Sequence, residues 1–242
     1  MSLIDPNLFK AEPEVSDGRP FAPAGPAGPG PDIANFRDSR PLTRWVSGFV
    51  WVDIAFSAAL GLMMLAEASG MAQVMPLDET LDPTLGQMIF SLTAMVYIGF
   101  IIPRILIILR WFWRANKNAR ALSGGIETTP GWAWGFFFIP IMNLWRPFQT
   151  MEEIWASAQN PGHWRTIETP VLMRWWWGLW LVGNIVDNVS GRLVGNVDTL
   201  QFGAVIAVIG YSLSIAGNIA FLGLINPIAR NQWAHSQDSV FD

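Results

Sequence analysis

Four long runs of apolar residues, almost emptied of charge, constrain this chain more than any other feature of its sequence. Trp45 to Ala66 carries one charged residue, Asp53; Gly86 to Leu109 carries Arg104; Trp175 to Val189 carries Asp187; and Phe202 to Ile225 carries none. At about 1.5 Å of rise per residue the first run reaches about 33 Å, enough for a bilayer's hydrocarbon core. In hydrocarbon every backbone N–H and C=O must be satisfied within the protein, so runs like these are compatible with helices far more than with open strands. The expected fold class is an all-α integral membrane protein with four transmembrane helices.

Composition agrees and closes off other classes. Only 14% of the 242 residues are charged and 51% are hydrophobic, against roughly a quarter charged in an ordinary soluble domain. The net charge of −4 excludes a broad basic face built to coat nucleic acid. With no cysteine, disulfides, thiolate metal sites and cysteine nucleophiles are all excluded.

Residues 1–41 hold 8 of the 17 prolines, interleaved with Gly25, Gly28 and Gly30, and such a stretch buries too little apolar surface to offset its ordering entropy. It is expected to be a disordered cytoplasmic tail, followed by a helical transmembrane domain over 42–230 and a short polar C-terminal tail over 231–242. The second run continues without a breaker into Trp113 to Leu122, a helix leaving the membrane. Between the second and third runs, Gly131 to Trp145 is split by Pro140 and is too short to cross, which predicts a re-entrant or interfacial segment. After Pro147, Phe148, Met151, Trp155 and Ala158 recur at helical spacing opposite Gln149, Glu152 and Glu153, the pattern of an amphipathic helix.

Lys and Arg set the orientation. Arg37, Arg40 and Arg44 precede the first run; Arg110, Arg114, Lys117 and Arg120 follow the second; residues 68–85 between them have none. Both termini are therefore expected on the cytoplasmic side of a plasma membrane. Arg110, Arg114 and Lys117 share one helical face, either as topological anchors or as a contact for an anionic lipid headgroup, for Glu152 and Glu153, or for a partner. Trp175, Trp176 and Trp177 read first as an interfacial belt.

Depth counted along each run brings polar residues to a common level. Asp53 lies eight residues after Trp45, Arg104 nine before Trp113, Asn184 nine after Trp175 and Asn218 eight before Asn226, each roughly 12 to 14 Å in. A charge at that depth is costly unless paired. An Asp53–Arg104 ion pair is expected, with Asn184 and Asn218 hydrogen-bonded nearby and Asn143 closing the layer from below. Alternatively Arg104 snorkels and each asparagine bonds a local carbonyl.

The run W-R-A-N-K-N-A-R-A-L from Trp113 to Leu122, followed by P-G-W-A-W-G-F-F-F-I-P-I-M-N-L-W-R-P-F-Q-T-M-E-E-I-W from Pro130 to Trp155, resembles a bacterial multi-span membrane family classed as domain of unknown function 4328. The resemblance is strongest over residues 105–158 and extends over the domain from 45 to 230. It implies a membrane location and architecture, and it implies no catalytic residue.

The sequence offers no catalytic constellation. His163 and His235 lie outside the apolar runs, no lysine lies within them, and neither an H-E-x-x-H nor a G-x-S-x-G motif occurs. No metal or cofactor is expected, and no enzyme. The first functional expectation is a non-enzymatic scaffold, regulator or accessory subunit acting through its cytoplasmic surface, with a membrane protein or a second copy as partner besides the bilayer. The alternative is a protein that binds or transports a lipid or small molecule through the polar layer. An intramembrane enzyme using Asp53 or Asp187 as acid or base comes third.

Overall fold

The computed structural model describes residues 33–75 and 82–238, and among them there are helices and turns but no strands. Six α-helices follow in chain order: α1 (Arg40–Ala68), α2 (Leu85–Leu122), α3 (Pro130–Gly135), α4 (Arg146–Gln159), α5 (Val171–Leu193) and α6 (Leu200–Asp238). Three are long and apolar enough to cross a membrane: α1, α2, and α6 together with the turn before it, Val197–Gln237. α5 has the length, at 23 residues, but Arg174, Asn184, Asp187, Asn188, Ser190 and Arg192 hold it below the apolarity of the other three.

Local chemistry sets the helix ends. Pro41 occupies the first turn of α1, where a missing N–H costs nothing. At its far end Gly70 takes a φ of 71°, and the Glu67 carboxylate accepts the backbone N–H groups of Val74 (2.6 Å) and Met75 (3.0 Å), folding the chain back. Thr84 and Gln87 form a reciprocal capping box that starts α2.

α6 is the hub, packing along α1 on one side and α5 on the other, while α2 packs on α1. The α5–α6 seam is built on glycine. Gly203, Gly210 and Gly217 recur every seventh residue and face Leu193, Asp187 and Leu179 of the antiparallel α5. Small residues at this interval let two backbones approach closely. At Gly203 it is the facing backbone that comes close, because a Cβ there would lie 2.7 Å from the Val194 backbone nitrogen.

The core is concentrated at the end of the bundle where α1 begins and α2 and α6 finish. Val46, Val50, Trp111, Phe112, Met151, Ile154, Phe221, Ile225 and Ile228 pack there in one cluster. Trp111 is wholly buried, and its indole N–H donates to the Thr43 hydroxyl at 2.9 Å. By contrast, Leu92, Met95, Ile98, Ile102 and Leu106 on the first part of α2 are exposed, an arrangement suited to hydrocarbon rather than to water.

Several sequence expectations are refined here. The segment from Gly131 to Trp145 is broken into α3 and two single turns, Phe136–Phe138 and Met142–Leu144. α4 packs against α2 and α6, with Met151, Ile154 and Ala158 wholly buried. Residues 1–32 of the expected tail lie outside the described residues, and its end is built into the fold: Asn118 bonds both the N–H and the carbonyl of Arg37. The boundary expected at residue 230 falls inside α6, which runs on to Asp238. The polar residues there are not a free tail, since Gln232 is wholly buried, donates to the Ala115 carbonyl at 3.0 Å and accepts from Asn118.

Candidate functional site

Asp53, wholly buried on α1, is the centre of the polar layer. Its Oδ2 lies 3.1 Å from a guanidinium nitrogen of Arg104 on α2 and accepts from the Asn218 amide on α6 at 2.6 Å. Its Oδ1 accepts from the Tyr97 hydroxyl at 3.1 Å. Arg104 also donates to the Asn218 side-chain carbonyl at 3.2 Å. Three helices are thus joined by one closed triangle of side chains, which Asn218 completes because its amide presents an acceptor to the cation and a donor to the anion. Charge-assisted bonds of this kind offset the cost of holding both ions away from water.

Beside this triangle, α2 and α5 both pack on α6 and make few contacts, if any, with each other, leaving a cavity of about 230 Å³. Arg104, Asn218 and Ser214 line one side of it, Trp180, Asn184 and Asp187 the other. Aromatic rings make up much of the rest of its lining. Trp176 stacks on Phe221 (5.6 Å between centroids) and Trp177 on Trp180 (4.7 Å).

Of the residues expected in the layer, Asp53, Arg104 and Asn218 come together. Asn184 lines the same cavity, but its amide donates to the Trp180 carbonyl one turn back, at 2.7 Å. Asn143 does not join. It sits in a turn whose backbone bonds are local, and the Trp177 indole holds that turn through the Leu144 carbonyl at 3.0 Å, two helical turns along α5 from Asn184. The tryptophan run is also corrected: Trp175 is exposed as a belt residue would be, but Trp176 and Trp177 are buried in the core.

The basic face on α2 gathers around one indole, and of the contacts expected for it the structure bears on that with Glu152 and Glu153. Arg110, Arg114 and Lys117 all lie 5.3 to 5.4 Å from the ring of Trp113, so one indole is shared by three cations. Glu152 and Glu153 do not reach them. Glu152 accepts from the Thr169 hydroxyl and Glu153 from the Thr128 N–H at 3.1 Å.

Sequence reasoning missed Tyr97 and left Asp187 and Ser214 out of the layer. Tyr97 stands seven residues before Arg104, two turns along one face, and is one of only two tyrosines in the chain. Trp180, Asn184 and Asp187 recur at intervals of four and three, one stripe of α5, and that stripe is the signal that would have found Asp187.

Helices long and apolar enough to cross a membrane, packed around buried charge, place this chain among all-helical proteins of membrane character. It belongs to the family described as Domain of unknown function (DUF4328), whose model matches residues 78–230. Arg104, Asp187 and Asn218 fall within the match, whereas α1 and Asp53 precede it. No curated protein and no solved structure matches the chain.

Proposed function

We propose that the protein is a non-enzymatic, four-span integral membrane protein of a bacterial plasma membrane, with both termini cytoplasmic, that binds a small molecule in the cavity between α2, α5 and α6. α5 is the fourth span, its polar stripe turned to the cavity and to α6, and residues 131–145 return to the cytoplasmic side. The observation that carries this reading is the cavity itself: its wall includes Arg104 and Asn218, the exposed flank of the buried charge triangle. Polar groups converging on a largely apolar, pre-formed hollow are the usual composition of a ligand site. A scaffold needs no such hollow, and so the ligand-binding alternative is preferred over the scaffold reading.

The test is native mass spectrometry of the full-length chain extracted in mild detergent. A small molecule retained by the wild type and lost from Gly217→Leu, whose added side chain enters the cavity, supports the reading. Retention of nothing, or retention that the variant leaves unchanged, goes against it, and a stoichiometric protein partner in its place returns the scaffold reading.

A further inference from the structure

Charge parity within the cavity singles out Asp187. Asp53 and Arg104 neutralise each other, and both Asp53 oxygens are already occupied by Arg104, Asn218 and Tyr97. Asp187 makes no hydrogen bond and no ion pair with any described residue, yet it lines the same cavity. Gly210 on α6 makes room for it, since a Cβ there would collide with the Asp187 carboxylate oxygen. The three charged groups therefore leave one negative charge without a partner, and with α5 as the fourth span proposed above an uncompensated charge at that depth is costly.

The remaining polar groups narrow what would supply the missing positive charge. The Asn184 amide nitrogen is committed to the Trp180 carbonyl, which leaves its side-chain oxygen as an acceptor. The Ser214 hydroxyl has no partner among the described residues. Asp187, Asn184 and Ser214 thus present three acceptors, matching the three N–H donors of an ammonium group. The stacked indoles of Trp177 and Trp180, with Trp176 beside them, add π faces and apolar surface to the lining. A calcium or magnesium ion, which takes six or more oxygen ligands, finds too few protein oxygens here, and no group of three or more His, Cys, Asp or Glu side chains that could hold a metal occurs among the described residues.

Building on the ligand-binding reading above, we infer that the cavity takes a small primary amine in its protonated form, its ammonium on Asp187, Asn184 and Ser214 and its apolar body against Trp176 and Trp180. Recognition is by charge and donor count, so the neutral alcohol of the same shape and the corresponding carboxylate are both rejected.

The experiment uses the full-length protein in lipid nanodiscs, titrated with phenethylamine, phenethyl alcohol and phenylacetate and read by quenching of tryptophan fluorescence. Phenethylamine is expected to bind saturably, at least tenfold more tightly than the alcohol, with no saturable signal from phenylacetate. Asp187→Asn is expected to weaken phenethylamine at least tenfold, and Ser214→Ala several-fold. Gly210→Ala, which keeps the carboxylate and displaces it, should also weaken binding several-fold and guards against a folding defect in any one variant. Phenethylamine binding equally to wild type and Asp187→Asn overturns the assignment. So does preference for the alcohol or for phenylacetate, although either leaves a ligand-binding cavity in place. Absence of saturable binding by all three probes overturns the amine assignment; if native mass spectrometry also finds nothing retained, the ligand-binding reading falls with it.

Discussion

Asp53 on α1 and Asn218 on α6 are separated by 165 residues of sequence and meet at 2.6 Å. Their contact holds Arg104 in place, because each also bonds the guanidinium. The relationship makes the triangle a single unit whose members do not act additively.

Removing one charge should therefore cost more than removing both. Asp53→Asn or Arg104→Gln alone strands a buried ion, and each should lower stability by about 3 to 5 kcal/mol. The double variant, which keeps hydrogen-bonding side chains and strands no charge, should recover more than half of that loss. Thermal unfolding of the purified protein in one detergent, followed by tryptophan fluorescence, checks it; a double variant as unstable as the sum of the singles would argue that the pair has no coupling.

Tyr97→Phe deletes only the hydroxyl that donates to Asp53. Interhelical hydrogen bonds of this sort average about 0.6 kcal/mol in membrane bundles, so the loss should be several times smaller than that of Asp53→Asn. A comparison of unfolding midpoints under the same conditions measures the ratio.

Gly203→Ala should destabilise the α5–α6 seam, because the added methyl meets backbone atoms of Leu193 and Val194 that cannot rotate aside. An overpacked contact of this kind costs about 1 to 3 kcal/mol. Gly48→Ala, where nothing lies within 4 Å, is the matched control and should be neutral or slightly stabilising.

Glu153 introduces a pH dependence at the α4 end of the bundle. Burial pushes its carboxyl above the ordinary glutamate range, and the bond from Thr128 offsets only part of that shift. The folded state therefore holds this proton more tightly than the unfolded state does. The stability it contributes is fully present below the unfolded value near 4.3 and is lost as pH rises through the higher folded value. Glu153→Gln should accordingly gain stability relative to wild type as the pH is raised from about 4 to neutrality, with the two proteins converging at the acid end.

The four-span orientation is open to direct chemistry, since the chain has no cysteine. Single cysteines at Asn160 and His163 should react with an impermeant thiol reagent from the cytoplasmic side, and cysteines at Gln73 and Asp198 from the opposite side; all four positions are exposed. Reaction of Asn160→Cys and Asp198→Cys from the same side would remove α5, the one long helix between them, from the membrane.

The parts of this architecture that were legible in the sequence are those governed by a single repeating dimension. A constant rise per residue is enough to place Asp53, Arg104 and Asn218 at one depth, since α1, α2 and α6 are uninterrupted helices over those positions. Asn143 was misplaced for the same reason in reverse, because its segment is a chain of short turns to which no constant rise applies. Trp176 and Trp177 were misread because a run of indoles near a helix end looks the same in sequence whether the rings face lipid or the core. Residues 231–238 look like a tail in sequence because Asn231, Gln232, Ser236 and Gln237 are polar, and only the fold reveals that Gln232 and Ser236 are buried and that Asn231 and Gln232 make tertiary bonds. Tyr97 escaped because its hydroxyl adds nothing to a count of charges.

The separation of α2 from α5 determines which solvent competes for the cavity between them. In a four-span arrangement the gap opens sideways, so the medium at its mouth is acyl chain rather than water. A solute would then reach the site by first dissolving in the membrane, and occupancy would follow its concentration per lipid rather than per litre. Affinities measured at different lipid-to-protein ratios would disagree when expressed in aqueous units and collapse onto one curve when expressed as mole fraction in the bilayer.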